Sequence, residues 1–145
     1  MLNRSAFLAV AAIGLMAVLI PTSAGANIKP KTGVYYDASS VKAPGNGYIQ
    51  VEKGKVFGAG FNIKFKDKRG KKCVPEGFTE SDGYINLVFE TTKAKPNSKN
   101  KFSVKSKFSP FNPGLKGTVT GKFKSRSKAI FKVTLKADGC TAKAN

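Results

Sequence analysis

The chain has no histidine and no tryptophan, and only eight acidic residues and two cysteines in 145 positions. Without histidine, Ser-His and Cys-His nucleophilic pairs are excluded, and so are histidine-based metal sites. The cysteines, Cys73 and Cys140, lack the CxxC spacing of a zinc ligand pair or a redox dithiol. Glycoside hydrolysis needs two carboxylates across a cleft. Asp37, Glu52, Asp67, Glu90 and Asp138 scatter over expected turns and strand ends. Glu76, Glu80 and Asp82 cluster between Pro75 and Gly83, which reads as a solvated turn rather than a Ca²⁺ loop or an acid pair. No phosphate loop of P-loop spacing is present, because Gly54 to Gly60 lies inside a strand pattern. Ser103 with Lys105 and Ser125 with Lys128 are background coincidences in a chain rich in both types. The expectation is a protein that is not an enzyme, with no catalytic residues, no cofactor and no metal. An enzyme of unfamiliar type would need clustered acids or a Ser-Lys pair in a cleft.

Long apolar runs are missing too, except at the start. Met1 to Ser5 carries one positive side chain, Arg4, and Ala6 to Ile20 is 15 residues of apolar side chains and glycine. Pro21-Thr22-Ser23 breaks the run, and Ala24 and Ala26 supply the small residues a signal peptidase needs. This is the composition of a secretory signal, with the cut between Ala26 and Asn27. A retained anchor would want about 20 apolar residues. Residues 1–26 are therefore expected to be a cleaved signal and 27–145 a single domain, secreted, periplasmic or at the cell surface. The membrane would be met only through the signal, before cleavage.

What the mature chain has in excess is lysine. Removing Arg4 leaves 25 Lys+Arg against 8 Asp+Glu, a net charge of +17, and only Arg69 and Arg126 are arginine. Such a domain is drawn to anionic surfaces. Arginine would argue for bidentate phosphate recognition, and its scarcity argues against it. Lysine on strand faces also serves solubility and blunts sheet edges. Beyond the membrane, an even pair of cysteines most simply forms one disulfide, Cys73–Cys140.

The residue pattern has a period of two, the signature of strands. Phe57, Ala59, Phe61, Ile63 and Phe65 alternate with Val56, Gly58, Gly60, Asn62, Lys64 and Lys66. Phe102, Val104 and Phe108 alternate with lysine and serine, as Val119 and Phe123 do with threonine and lysine. Ala129, Phe131, Val133 and Leu135 do the same against Lys128, Lys132 and Lys136. Ile85 to Phe89 and two shorter runs, Gly33 to Tyr36 and Tyr48 to Glu52, complete the set. Lys53-Gly54, Asp82-Gly83 and several Pro/Asn/Gly clusters separate the runs. The expectation is an all-β antiparallel sandwich or flattened barrel of seven or eight strands. Phe57, Phe61, Phe65, Phe89, Phe102, Phe123 and Phe131 would form its core, with Tyr35, Tyr36, Tyr48 and Tyr84 partly exposed.

The tail Lys116-Gly-Thr-Val-Thr-Gly-Lys-Phe, then Ala129 to Leu135, then Asp138-Gly139-Cys140, together with Gly54-Lys55-Val56 leading to Cys73, resembles a class of small secreted bacterial β-domains of unknown function. The resemblance spans roughly residues 47 to 140. It implies a sandwich or barrel-like fold with one disulfide and no assigned chemistry. It also implies a closing strand with a Trp beyond the last Cys. Here five residues follow Cys140, without Trp, so that strand is expected to be missing.

Lys64, Lys66, Lys101, Lys105, Lys107, Lys122, Lys124, Lys128, Lys132 and Lys136 all fall on the polar parity of their strands. If those strands share a sheet, the lysines converge into one basic face, a candidate site for anionic cell-envelope polymer or polysaccharide. Specific nucleic-acid binding would need outward aromatics, which this parity does not supply. A β-barrel carrier holding a small apolar ligand among its phenylalanines is the alternative. It would leave a cavity where the first reading has a filled core.

Overall fold

A computed structural model describes residues 27–37, 47–107 and 114–144. The signal and its cleavage residues Ala24 and Ala26 lie outside the described residues, as do Phe108 and the Pro44 and Pro110 turns. Asn27 is the first described residue.

Among the described residues nine strands form two antiparallel sheets: β1 (Gly33–Tyr36), β2 (Gly47–Glu52), β3 (Lys55–Ile63), β4 (Glu80–Ser81), β5 (Tyr84–Ala94), β6 (Lys101–Lys105), β7 (Lys116–Phe123), β8 (Ala129–Ala137) and β9 (Cys140–Ala144). One sheet has the order β1-β2-β3-β5-β4 and the other β6-β7-β8-β9. Three hairpins close through two-residue turns with positive φ at both positions: Lys53-Gly54, Asp82-Gly83 and Asp138-Gly139. This is the geometry of primed turns, whose twist matches that of the strands they join, and it explains the Xaa-Gly pairs in the sequence.

The sheets are stitched at both flanks. Thr91 of β5 bridges Ser106 just past β6. Lys66, beyond β3, exchanges backbone hydrogen bonds with Thr141 of β9, at 2.9 and 2.8 Å. The Cys73–Cys140 disulfide lies beside this second seam, joining the β3–β4 connection to the start of β9. On another side Asp37 bridges Ala129, and its carboxylate accepts from the Phe131 amide at 3.4 Å.

Three expectations are corrected. The five residues after Asp138-Gly139 are themselves the closing strand β9, paired along β8 from Ala137↔Cys140 to Val133↔Ala144. Phe57 is not a core residue. A β-bulge shifts the β2–β3 register between Gln50 and Val51, so Val56 is fully buried and Phe57 only half-buried. One extra residue reverses the alternation upstream of it. Tyr35 is buried rather than partly exposed, with its ring edge-on to Phe123 at 5.3 Å. Its hydroxyl lies 2.8 Å from the Lys31 carbonyl oxygen and 2.6 Å from that of Arg126, sharing its proton between them. Burial pushes this phenol above the ordinary tyrosine range, against the opposing pull of the Lys31 hydrogen bond and the Arg126 charge.

The other predicted core phenylalanines face inward and meet between the sheets. Phe61 packs on Phe89 at 6.2 Å and on Phe131 at 6.1 Å, and Phe102 on Phe123 at 5.2 Å. Val51, Val56, Leu87, Val104, Val119, Val133 and Leu135 fill the remaining space. Each fully buried side chain of this size contributes on the order of 1.5–3 kcal/mol.

Candidate functional site

Strands β6 to β9 alternate buried and solvent-facing residues, with breaks at the two glycines of β7 and at Ala144, the last residue of β9. Inward stand the valines, phenylalanines and Leu135. Outward stand thirteen residues. Seven are lysines: Lys101, Lys105, Lys116, Lys122, Lys132, Lys136 and Lys143. Five are hydroxyl residues: Ser103, Thr118, Thr120, Thr134 and Thr141. The last is Ile130. No carboxylate occupies any of these positions. Four strands about 4.8 Å apart, with outward residues about 7 Å apart along each, make a cationic plate.

The register sharpens the picture. Lys101 stands directly opposite Lys122, and Lys116 directly opposite Lys136. Like charges placed opposite one another in neighbouring strands are destabilising, and no acid among the thirteen outward residues offsets them. The two ion pairs among the described residues lie elsewhere, Lys72–Glu80 at 2.5 Å and Lys107–Glu90 at 3.5 Å.

The ten lysines expected to share a face divide. Lys101, Lys105, Lys122, Lys132 and Lys136 lie together on the β6–β9 sheet. Lys124 and Lys128 extend it into the β7–β8 turn, where the Lys124 amide donates to the Lys128 carbonyl at 2.8 Å. Lys107 leaves the plate at the β5–β6 corner, where it meets Glu90. Lys66 sits at the seam beside β9. Lys64 stands just past the end of β3 in the opposite sheet, its ammonium 4.3 Å from the centre of the Tyr84 ring. Sequence reasoning missed Lys116 and Lys143. Lys116 shares the parity of Thr118, Thr120 and Lys122, which was signal enough to find it. Lys143 needed β9 to be recognised as a strand.

The opposite sheet presents a different surface. Tyr36, Tyr48, Gly60 and Val88 form one row across β1, β2, β3 and β5. Tyr48 lies over Gly60, where an added Cβ would collide with the ring, and its ring centre is 6.3 Å from that of Tyr36. Tyr36 and Tyr84 are exposed, as expected, and Tyr48 is half-buried.

A groove of about 730 Å³ opens at the β6 corner of the lysine plate. One wall is the end of β5 and the segment after it, with Ala94, Lys95 and Asn97, and the sheet side carries Lys101, Lys122, Ile130 and Lys132. Among the described residues no group of three or more Cys, Asp or Glu is placed to hold a metal ion.

The fold and this face define a class only: a two-sheet, all-β domain with one disulfide and a single-sign basic plate. No protein-family model matches the chain, and no similar protein was found among curated sequences or solved structures.

Proposed function

We propose that this chain is an exported, non-catalytic binding domain that holds anionic polymers against the outward face of the β6–β9 sheet. The observation that carries the reading is the two pairs of directly opposed lysines, Lys101/Lys122 and Lys116/Lys136, on strands whose outward residues include no acid. Lysines needed only for solubility serve equally well when interspersed with glutamate, without the repulsion. A plate of this kind binds polyanions by releasing their counterions, so affinity falls steeply with salt and depends little on the order of units in the polymer. The export signal read in residues 1–26 supports a cell-envelope or extracellular polymer as the partner. The Cys73–Cys140 disulfide is compatible with an oxidising compartment. The phenylalanines pack on one another, Phe61 on Phe89 and Phe131 and Phe102 on Phe123, which favours this reading over the apolar-ligand carrier.

The test compares two triple variants with the same net charge. Lys101→Gln/Lys122→Gln/Lys136→Gln removes charge from the plate. Lys53→Gln/Lys55→Gln/Lys64→Gln removes it from the opposite sheet. On immobilised heparin, the first should elute at clearly lower salt and flatten the dependence of log K on log salt by about three. The second should elute close to the parent. Equal losses in both would mean that net charge alone governs retention, and the plate would not be a site.

A further inference from the structure

We infer that the groove at the β6 corner is a subsite for an acidic sugar unit, so that the polymer held by the plate is an acidic polysaccharide rather than a polyphosphate or a nucleic acid. The inference rests on the polyanion reading above and narrows it. Of the thirteen outward positions on the plate, Ile130 alone is apolar, and it stands inside the groove beside Lys122, its partner in the adjacent strand. The cationic rim is Lys95, Lys101, Lys122 and Lys132, and Ser103 and Thr120 add hydroxyls between them. A volume of about 730 Å³ lies within the range of small-ligand sites, about 300–1,000 Å³.

The wall opposite the sheet is built before any ligand arrives. The Asn97 side-chain oxygen accepts from the amides of Lys99 at 2.9 Å and Lys101 at 3.0 Å, and the Asn97 amide donates to the Lys101 carbonyl at 2.8 Å. Asn100, in the left-handed region at φ 60°, is buried. It ties the turn to two neighbours: its side-chain oxygen accepts from the Ile28 amide at 2.7 Å, and its carbonyl from the Phe123 amide at 2.9 Å. A wall held this way loses little freedom on binding.

The three surface chemistries match the three sides of a pyranose uronate. Its carboxylate meets ammonium groups, its hydroxyls meet Ser103 and Thr120, and its C–H face lies on Ile130. A polyphosphate has no apolar face to offer. A nucleic acid would need aromatic stacking platforms, and the nearest candidates, Phe102 and Phe131, point inward and are 4% and 5% exposed.

The decisive variant is Ile130→Lys, which adds a positive charge to the plate. If charge alone binds, this variant tightens every polyanion. If the groove seats a sugar ring, it weakens a short oligogalacturonate about tenfold, as expected when one apolar contact is lost. Affinity for inorganic polyphosphate of matched charge would be unchanged or raised. Lys95→Gln, on the wall and off the sheet, should likewise weaken oligogalacturonate more than polyphosphate. Circular dichroism of each variant confirms that it is folded. If Ile130→Lys tightens both ligands alike, the subsite is overturned and the polyanion reading stands. The subsite is equally overturned if the parent prefers polyphosphate, or if Ile130→Lys leaves oligogalacturonate binding untouched. If the parent binds neither ligand at low salt, the polyanion reading fails and the subsite falls with it.

Discussion

Replacing Lys136 with glutamate should make the protein more stable and bind worse. Lys136 is exposed in β8, directly opposite Lys116 in β7, with Thr141 of β9 on its other side. The substitution turns a like-charge pair into an opposite-charge pair on a solvated sheet face. Cross-strand charge pairs contribute about 0.2–1 kcal/mol, and exposed ion pairs sit in the same range. Removing a repulsion and adding an attraction together suggest about 0.5–1 kcal/mol at low salt. For a domain of this size that is about 2–4 °C in melting temperature. The gain should shrink as salt rises, because the screening length falls from about 10 Å at 0.1 M to about 3 Å at 1 M. Thermal unfolding followed by circular dichroism at both salt concentrations measures it. Lys29→Glu, exposed and outside the strands, controls for the change in net charge. Over the same comparison, the salt dependence of heparin binding should flatten by one or more for Lys136→Glu and not for Lys29→Glu. If Lys136→Glu is destabilising at low salt, or if its gain survives 1 M salt, the opposed lysines carry no repulsion. The plate would then cost the fold nothing, and its lysines would need no ligand to explain them.

The side-chain oxygen of Thr91 is buried without a hydrogen-bond partner. Thr91→Val keeps the shape and removes the unpaired hydroxyl, so chemical denaturation should show a gain of about 1–2 kcal/mol; a loss would mean that the hydroxyl is bonded after all. Cys73 and Cys140 are 67 positions apart. The double Cys→Ala variant should lose about 4 kcal/mol in the chain-entropy model, read as a lower denaturant midpoint, and a loss under about 1 kcal/mol would count against the disulfide as a main support. Tyr35→Phe removes a hydroxyl shared by two carbonyls and should cost about 1–2 kcal/mol at neutral pH. Because burial raises the Tyr35 pKa in the fold, its contribution is complete below the unfolded tyrosine value of about 10 and is lost as pH rises through the higher folded value. The parent-minus-Tyr35→Phe ultraviolet titration should therefore show a phenol ionising above about pH 10, and ionisation at or below it would contradict the buried placement.

Much of the fold is local in origin and so was legible. The alternation in β5, β6, β7 and β8 names which residues face inward, because a strand's side chains alternate whatever it pairs with. The Xaa-Gly turns could be read because positive φ at consecutive positions restricts residue choice. The alternation failed where one residue was added: the bulge that buries Val56 and displaces Phe57 depends on pairing with β2, which no window of β3 encodes. It also failed at β9, which is only five residues long and is held as a strand by β8 and by the seam to Lys66.

For the candidate site, the sequence by itself determined that the lysines face away from the core. It did not determine that they face the same way. Parity separates the two faces of a strand but is silent on which sheet the strand joins. Only the tertiary pairing sends Lys64 to the opposite sheet and Lys107 to Glu90, gathers Lys116 and Lys143 onto the plate, and sets Lys101 against Lys122. The groove around Ile130 was out of reach for the same reason. Its wall is the end of β5 and the segment after it, and its floor lies on β6, β7 and β8, so the site exists only where the crossing from one sheet to the other brings those segments side by side.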